Sequence, residues 1–408
     1  MSVMDIDEFP KSGSIAELLA LCVDRRLSFA AWRLPGEEDR FVAIQKDNRP
    51  EEVAELHELL DSGAFVVAPF RGDGDRKRFA IRPDILVRNS LDAATAEEIL
   101  ALPGFPEGSL GSGGGQAVGF EDYLEQVRGI VDAIRGGSFD KVVLSRVKTV
   151  EGRFRPRLGE LFELLCEAYA KAFVYLFLVE GVCWIGASPE VLLSSRGDRL
   201  VTVSLAGTRP YSEANRDVAV WNGKERAEQD HVTRQIEGIL REFSVEGVAR
   251  SELATRRAGN LLHLCSEFAF PYAAVASRLG PFVEALHPTS AVCGIPRAGA
   301  MELIAAIEGH ERGYYAGYLG PVGPLAGSGA ADGGTAKGGA ADGAGDVDGA
   351  TAPGGVQLFV NLRCMRVSPE RLELFVGGGI TAGSVPEDEW EETEMKARTL
   401  LSIIEEVS

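Results

Sequence analysis

Apolar and polar residues alternate along this chain with two different periods, and the switches between them mark out its elements. The segment AFVYLFLVEGVCWIGAS holds two aromatic and β-branched runs parted by Glu180 and Gly181, the pattern of a buried β-hairpin. KVVLSRVKTV, starting at Lys141, reads as a strand. Just before it, DYLEQVRGIVDAIRGG places Leu124, Val127, Ile130, Val131 and Ile134 on one helical face, with Gly136 as the stop. Residues 214–243 read as helix broken or begun near Asn222 and Gly223, and a last helix runs from about Glu387 to Glu406. YYAGYLGPVG and VQLFVNLRCMRV read as strands flanking residues 324–355. That segment has almost no large apolar side chains, so it predicts a disordered surface loop that caps a hairpin and whose deletion costs little. A glycine–serine stretch at 108–115 sets off an N-terminal third. Strands joined by hairpins, with helices at intervals, predict an α+β chain with mostly antiparallel sheets.

A length of 408 residues fits either two domains or one large elaborated fold. Forty-two basic residues against 61 acidic ones give a formal charge of −19, which repels nucleic acid and anionic lipid. The opening MSVMDIDEFPKSGS carries acids where a secretory signal carries bases, and no later run approaches the length of a membrane span, so a cytoplasmic protein is expected. The six cysteines are scattered without a C-x-x-C, which predicts buried reduced thiols rather than a disulfide framework or a zinc knuckle. Neither a G-x-G-x-x-G after a strand nor a P-loop is present, so dinucleotide and nucleotide readings drop away.

Candidate chemistry lies in carboxylates at helical spacing. Glu225 and Glu228 are three apart and project from one helix face, and Glu389 and Glu392 repeat the spacing. If the two helices faced each other, four carboxylates would converge on a cation, and oxygen-only ligands suit magnesium. Lys396, four residues past Glu392, could hold a substrate carboxylate beside it. Lys141 opens an apolar strand, where a half-buried amine can act as a base, and Glu190 in GASPE follows a strand and can reach a pocket. LAGTRP around Gly207, SAVCGIPR around Gly294 and VGGGI at Gly377–Gly379 are candidate backbone-donor sites, with His287 and Thr289 as further hydrogen-bonding groups. Each has a plainer reading taken singly: a solvated helix face, an i,i+4 surface pair, an exposed strand-end lysine, a hairpin glycine.

Taken in order, KVVLSR, GASPE, LAGTRP, KERAEQDHV, LHPTSAVCGIPR, RGYYAGYLGPVG, LFVNLR, VGGGI and EWEETEMK resemble the chorismate-utilising enzymes: the isochorismate, salicylate, anthranilate and aminodeoxychorismate synthases. The resemblance covers roughly residues 120 to 405. It implies one α+β fold of two large, mostly antiparallel sheets packed face to face with helices outside. Residues 1–115 would be a divergent N-terminal part of that fold, 116–408 the chorismate-binding core, and 324–355 an insertion.

For the chemistry, the resemblance implies chorismate as substrate and Mg2+ as cofactor. Lys141 matches the lysine that activates water for attack at C2, and Glu190 the acid that protonates the departing 4-hydroxyl. Glu228 and Glu392 match direct magnesium ligands, with Glu225 and Glu389 holding the cation through water. Arg363 and Tyr315 match residues on the enolpyruvyl carboxylate. Gly207, Thr208, Gly377, Gly378, Gly379 and Lys396 match the rest of the cradle, and His287 and Thr289 would line the ring pocket. Lysine at position 141 argues for water rather than ammonia and so for no glutaminase subunit, and the resemblance implies a monomer. Isochorismate synthase is therefore the activity implied first. The alternatives are a salicylate synthase, which goes on to eliminate pyruvate, and a non-catalytic chorismate-binding relative. Gln229 stands where the family usually has histidine, and Ser290 where isochorismate synthases often have proline. Menaquinone, siderophore and salicylate synthesis all draw on such an activity, and site chemistry does not differ among them.

Overall fold

The computed structural model describes residues 12–47, 49–53, 55–72, 77–104, 117–259, 261–327 and 355–407. Two large antiparallel sheets carry them. The first has nine strands, in spatial order Gly294–Ile295, Lys141–Glu151, Arg371–Ile380, Cys364–Val367, Val182–Ser188, Phe173–Val179, Ser28–Arg33, Arg40–Gln45 and Ile85–Arg88. The second has ten. Its path runs Ala249–Arg250, Leu261–Pro271, Arg199–Pro210, Val191–Arg196, Gln357–Val360, Tyr318–Val322, Ala64–Ala68, Phe79–Ile81, Glu51–Glu52, and Ala254–Ala258 also pairs with Leu261–Pro271. Strands from the N-terminal third thus complete one end of both sheets.

The sheets face each other across an aromatic core. Phe173 of the first stacks on Phe359 of the second with ring centroids 4.2 Å apart, and Trp32 meets Phe65 at 5.4 Å. The run FVYLFLV explains how one strand serves two layers: Phe173, Tyr175 and Phe177 join the core between the sheets, while Val174, Leu176 and Leu178 join a second cluster. That second cluster takes in Leu18 and Leu19 of the helix Ile15–Asp24, Leu161 and Phe162 of Leu158–Ala168, and Leu400 and Ile404 of Pro386–Glu406. The helices Phe120–Arg135 and Gly223–Glu242 instead wedge Val127 and Ile130, and Val232 and Ile236, into the inter-sheet core.

The hairpin read at Glu180–Gly181 is present, with both turn residues left-handed at φ 47° and 80°, the geometry of a type I′ turn. All six cysteines are buried and free. Three expectations need correction. VQLFVNLRCMRV is two strands, not one: Gln357–Val360 lies in the second sheet and Cys364–Val367 in the first. The YYAG stretch is a turn, and its strand begins only at Tyr318. The compositionally biased segment starts inside well-packed chain, because Gly323–Gly327 forms a short 3₁₀ helix with Leu325 and Ala326 buried. Residues 328–354 and the 108–115 stretch lie outside the described residues. The chain on either side of 328–354 comes together as expected for a hairpin, with Gly323 N–H donating to the Gly355 carbonyl at 2.8 Å.

Candidate active site

The chain crosses between the sheets twice at one place. Pro189 and Glu190 carry it from Val182–Ser188 in the first sheet to Val191–Arg196 in the second, and Asn361–Arg363 carries it back. The crossings are tied together: Val360 N–H donates to the Glu190 carbonyl, and Ala187 N–H to the Arg363 carbonyl, each at 3.0 Å. Arg363 holds a left-handed backbone at φ 48°, a strained conformation for a side chain of its size. Asn361 satisfies the bend by donating to the Tyr314 carbonyl and accepting from the Tyr175 hydroxyl. These crossings put Glu190 and Arg363 on the wall of one cleft.

Glu190, Gly207, Thr208, Glu228, Tyr315, Arg363, Gly377, Gly378, Gly379 and Lys396 all line that cleft. Glu190 is only 4% exposed. Burial pushes its carboxyl up to about 7, against the pull of Lys141, Arg363, Lys396 and the Thr289 hydroxyl. Lys141 is fully buried, despite opening its strand, and its Nζ donates to Glu228 Oε1 at 2.9 Å. Burial pushes Glu228 up, but Lys141 first, then Lys396 and Lys224, outweigh it and leave the carboxyl below the ordinary range. The three glycines belong to the strand Arg371–Ile380, not to a hairpin turn. Side chains would close the cleft here: a Cβ on Gly379 would lie 2.5 Å from Glu228 Oε1, and one on Gly377 would lie 2.9 Å from the Tyr315 hydroxyl. Gly207 sits at a register shift with φ 74°, where glycine is needed.

The acids are each held by their own cation. Lys396 donates to Glu392 at 2.6 Å and to the Gly377 carbonyl at 2.7 Å, and Lys224 donates to Glu389 at 2.8 Å. Glu225 is engaged locally: Arg209 binds both its oxygens, at 2.5 and 2.8 Å, and it closes a capping box with Asn222 at the start of Gly223–Glu242. Arg363 has no hydrogen bond or ion pair through its guanidinium among the described residues, and burial lowers its pKa. Tyr315 stacks on Phe375 at 5.4 Å. Thr289 stands beside Glu190 rather than on the cleft lining. His287 is turned away from the lining: its Nε2 bonds the Pro69 carbonyl at 3.1 Å, and burial lowers its pKa to about 4. Gln229 donates to Ser204 and Thr233, a buried structural pair of bonds.

One lining residue carries no sequence signal. His263, on the strand Leu261–Pro271, is buried with its pKa lowered to about 3, first by burial and then by Arg363. Its Nδ1 lies 2.8 Å from the Gly207 carbonyl, which can only accept, so Nδ1 bears the proton and Nε2 is a buried acceptor without a partner.

The sequence profile of the chorismate binding enzymes matches residues 109–329, and a second profile of the same description matches 348–402. The chain belongs to the chorismate binding enzymes. Among members of that family, the vibriobactin-specific isochorismate synthase of Vibrio cholerae is 27% identical over 69% of this chain and 66% of its own length. Isochorismate synthase DhbC of Bacillus subtilis is 29% identical over 69% of this chain and 67% of its own. The matches therefore span about two thirds of each relative. The solved structure of DhbC from Bacillus anthracis superposes with a TM-score of 0.70 at 22% identity, covering 95% of this chain and 99% of that one.

The family resemblance brings magnesium with it, and two features of the acid cluster fit a divalent cation. Glu389 Oε2 is buried without a hydrogen-bond partner, and burial followed by the charge of Glu392 pushes Glu389 up. Carboxylates crowded in this way are relieved by a cation with oxygen preference. Among the described residues no three acids, histidines or cysteines converge closely enough to form a closed metal cage. The donor set fits a cation that also takes oxygens from water and substrate.

Proposed function

We propose that this chorismate binding enzyme is an isochorismate synthase, a hydroxymutase that converts chorismate to isochorismate. The observation that carries the reading is a carboxyl at Glu190 on the cleft wall held up to about 7, within the pull of a buried amine at Lys141 that pairs with the lining residue Glu228. The reaction adds water at C2, shifts both conjugated double bonds of the ring and expels the C4 hydroxyl. Hydroxide is a poor leaving group, and with its carboxyl held up to about 7 roughly half of Glu190 carries a proton at neutral pH to give it. Lys141 serves as the base that takes the proton of the attacking water. Proton returns to Glu190 and leaves Lys141 between turnovers, so the overall change is an isomerisation.

The arginine fork of Arg363, with the Tyr315 hydroxyl beside it, suits the planar enolpyruvyl carboxylate. Lys396, Gly207, Thr208 and the Gly377–Gly379 backbone complete the cradle. His263 lines the cleft, and its unpartnered Nε2 acceptor suits a substrate hydroxyl. Thr289 would orient Glu190, and His287 would hold the Pro69 segment behind the ring pocket. Mg2+ held by Glu228 and Glu392 directly, and by Glu225 and Glu389 through water, would neutralise these acids and fix the ring carboxylate. On this reading water is the nucleophile, no glutaminase takes part, and the enzyme acts as a cytoplasmic monomer. The names of its relatives support the same activity.

The test is direct. Purified protein is incubated with chorismate and magnesium, products are resolved by chromatography, and pyruvate is assayed in the same tube. A chorismate–isochorismate mixture without pyruvate is expected. Salicylate with equimolar pyruvate would move the assignment to salicylate synthase, and unchanged chorismate would remove the enzymatic reading.

A further inference from the structure

A second, larger cavity of about 1370 Å³ adjoins the active-site cleft. Its walls are residues 168–172, the strand Ala254–Ala258 and the last turns of Pro386–Glu406. Pro189 and Arg363 line both spaces, so the two share a wall at the sheet crossing. Six cations line the larger cavity, Lys171, Arg196, Arg256, Arg257, Arg363 and Arg398, against two acids, Glu252 and Glu267. The local balance is 6 − 2 = +4 in a chain whose formal charge is −19.

The cations are not equivalent. Glu267 takes up Arg196 at 3.1 Å and Arg256 at 2.5 Å. Arg257 donates to the Gly259 carbonyl at 2.8 Å and lies over the Tyr211 ring at 3.8 Å. Lys171 and Arg398 are exposed and make no ion pair among the described residues. Behind them, at the shared wall, stands the unpaired guanidinium of Arg363.

We propose that this cavity is the access vestibule of the active site, and that Lys171 and Arg398 dock the carboxylates of a small dianion before Arg363 receives it. The inference rests on the chorismate reading above. A protein this acidic repels a dianion over most of its surface, so approach is favourable only where the local sign reverses. A concave, low-dielectric wall of one sign focuses the field and raises the encounter rate. Two outer cations followed by one at the cleft give the carboxylates a downhill sequence of partners.

Stopped-flow fluorescence of the magnesium-loaded protein mixed with chorismate tests this, across about 20 to 300 mM salt. The wild type is expected to associate more slowly as salt rises. The Lys171→Gln/Arg398→Gln variant is expected to associate at least about threefold more slowly at low salt, with a nearly flat salt dependence. The loss should appear in kcat/KM rather than kcat, and Lys171→Arg/Arg398→Lys should restore it. Association rates and salt slopes equal to wild type would overturn the vestibule while leaving isochorismate synthesis standing. A variant that loses kcat at saturating chorismate would also overturn it, since the charges would then act in the chemistry. A wild type that neither binds nor converts chorismate would overturn the functional reading and the vestibule with it.

Discussion

Between the ordinary glutamate range and about pH 7, folded Glu190 keeps a proton that the unfolded chain has released. The folded state binds more protons there, so its stability falls as pH rises through that window. Glu190→Gln removes the penalty. Denaturant unfolding is expected to find the variant more stable than wild type by on the order of 3 kcal/mol at pH 8, and equal to it near pH 4. The same change should lower kcat by about 10² to 10⁴, because an amide cannot replace the acid. In wild type, kcat should decline above about pH 7 as the proton is lost. Lys141→Ala leaves the partly buried Glu228 without its nearest cation and should cost about 1–3 kcal/mol, part of it recovered in the double variant with Glu228→Gln. At Gly379 a methyl group would meet Glu228 Oε1 at 2.5 Å and Lys141 Cε at 2.6 Å. Gly379→Ala should therefore abolish turnover while far-ultraviolet circular dichroism stays that of the wild type.

At the level of elements, the position of the candidate site follows from where the chain changes sheets. The GASPE segment puts a proline and a carboxylate at one crossing, and that much is legible in the sequence. The other crossing is not. VQLFVNLRCMRV keeps strand-like composition throughout, and nothing local betrays that Arg363 turns left-handed at φ 48°. The helix start at Asn222 is legible from the capping box, but the same box occupies Glu225, and its pairing with Arg209 joins residues 16 apart in sequence. His263 escaped notice because it lies between Leu262 and Leu264 on a buried strand, where a lone histidine has no spacing partner. Its role becomes visible only when Gly207 is seen to accept from Nδ1.

Across the whole molecule, alternation of aromatic and aliphatic residues in strands such as Phe173–Val179 announces two buried faces, yet strand order depends on contacts that no local pattern encodes. That topology brings Glu228 of Gly223–Glu242 onto the cleft lining and sets Glu389 and Glu392 of Pro386–Glu406 behind Gly378, where a Cβ would lie 3.4 and 3.6 Å from their carboxylates. Magnesium bound there as proposed would stabilise the native state by mass action, so added Mg2+ should raise the melting temperature of wild type and not of Glu228→Gln/Glu392→Gln. Calorimetry without substrate makes the comparison. The Gly323–Gly355 hydrogen bond already joins the chain on either side of residues 328–354. Replacing residues 328–354 by a short glycine–serine linker should leave activity intact and shift the melting temperature by no more than about 2 °C.

In the proposed reaction Lys141 delivers a solvent water to C2 while Glu190 releases the C4 hydroxyl. Turnover of chorismate in ¹⁸O-labelled water, with the product read by mass spectrometry, tests it most directly. Isochorismate carrying one ¹⁸O, on the C2 hydroxyl, is the expected result. Unlabelled isochorismate would mean that the hydroxyl migrates within the substrate, and would contradict the base and acid assignments together.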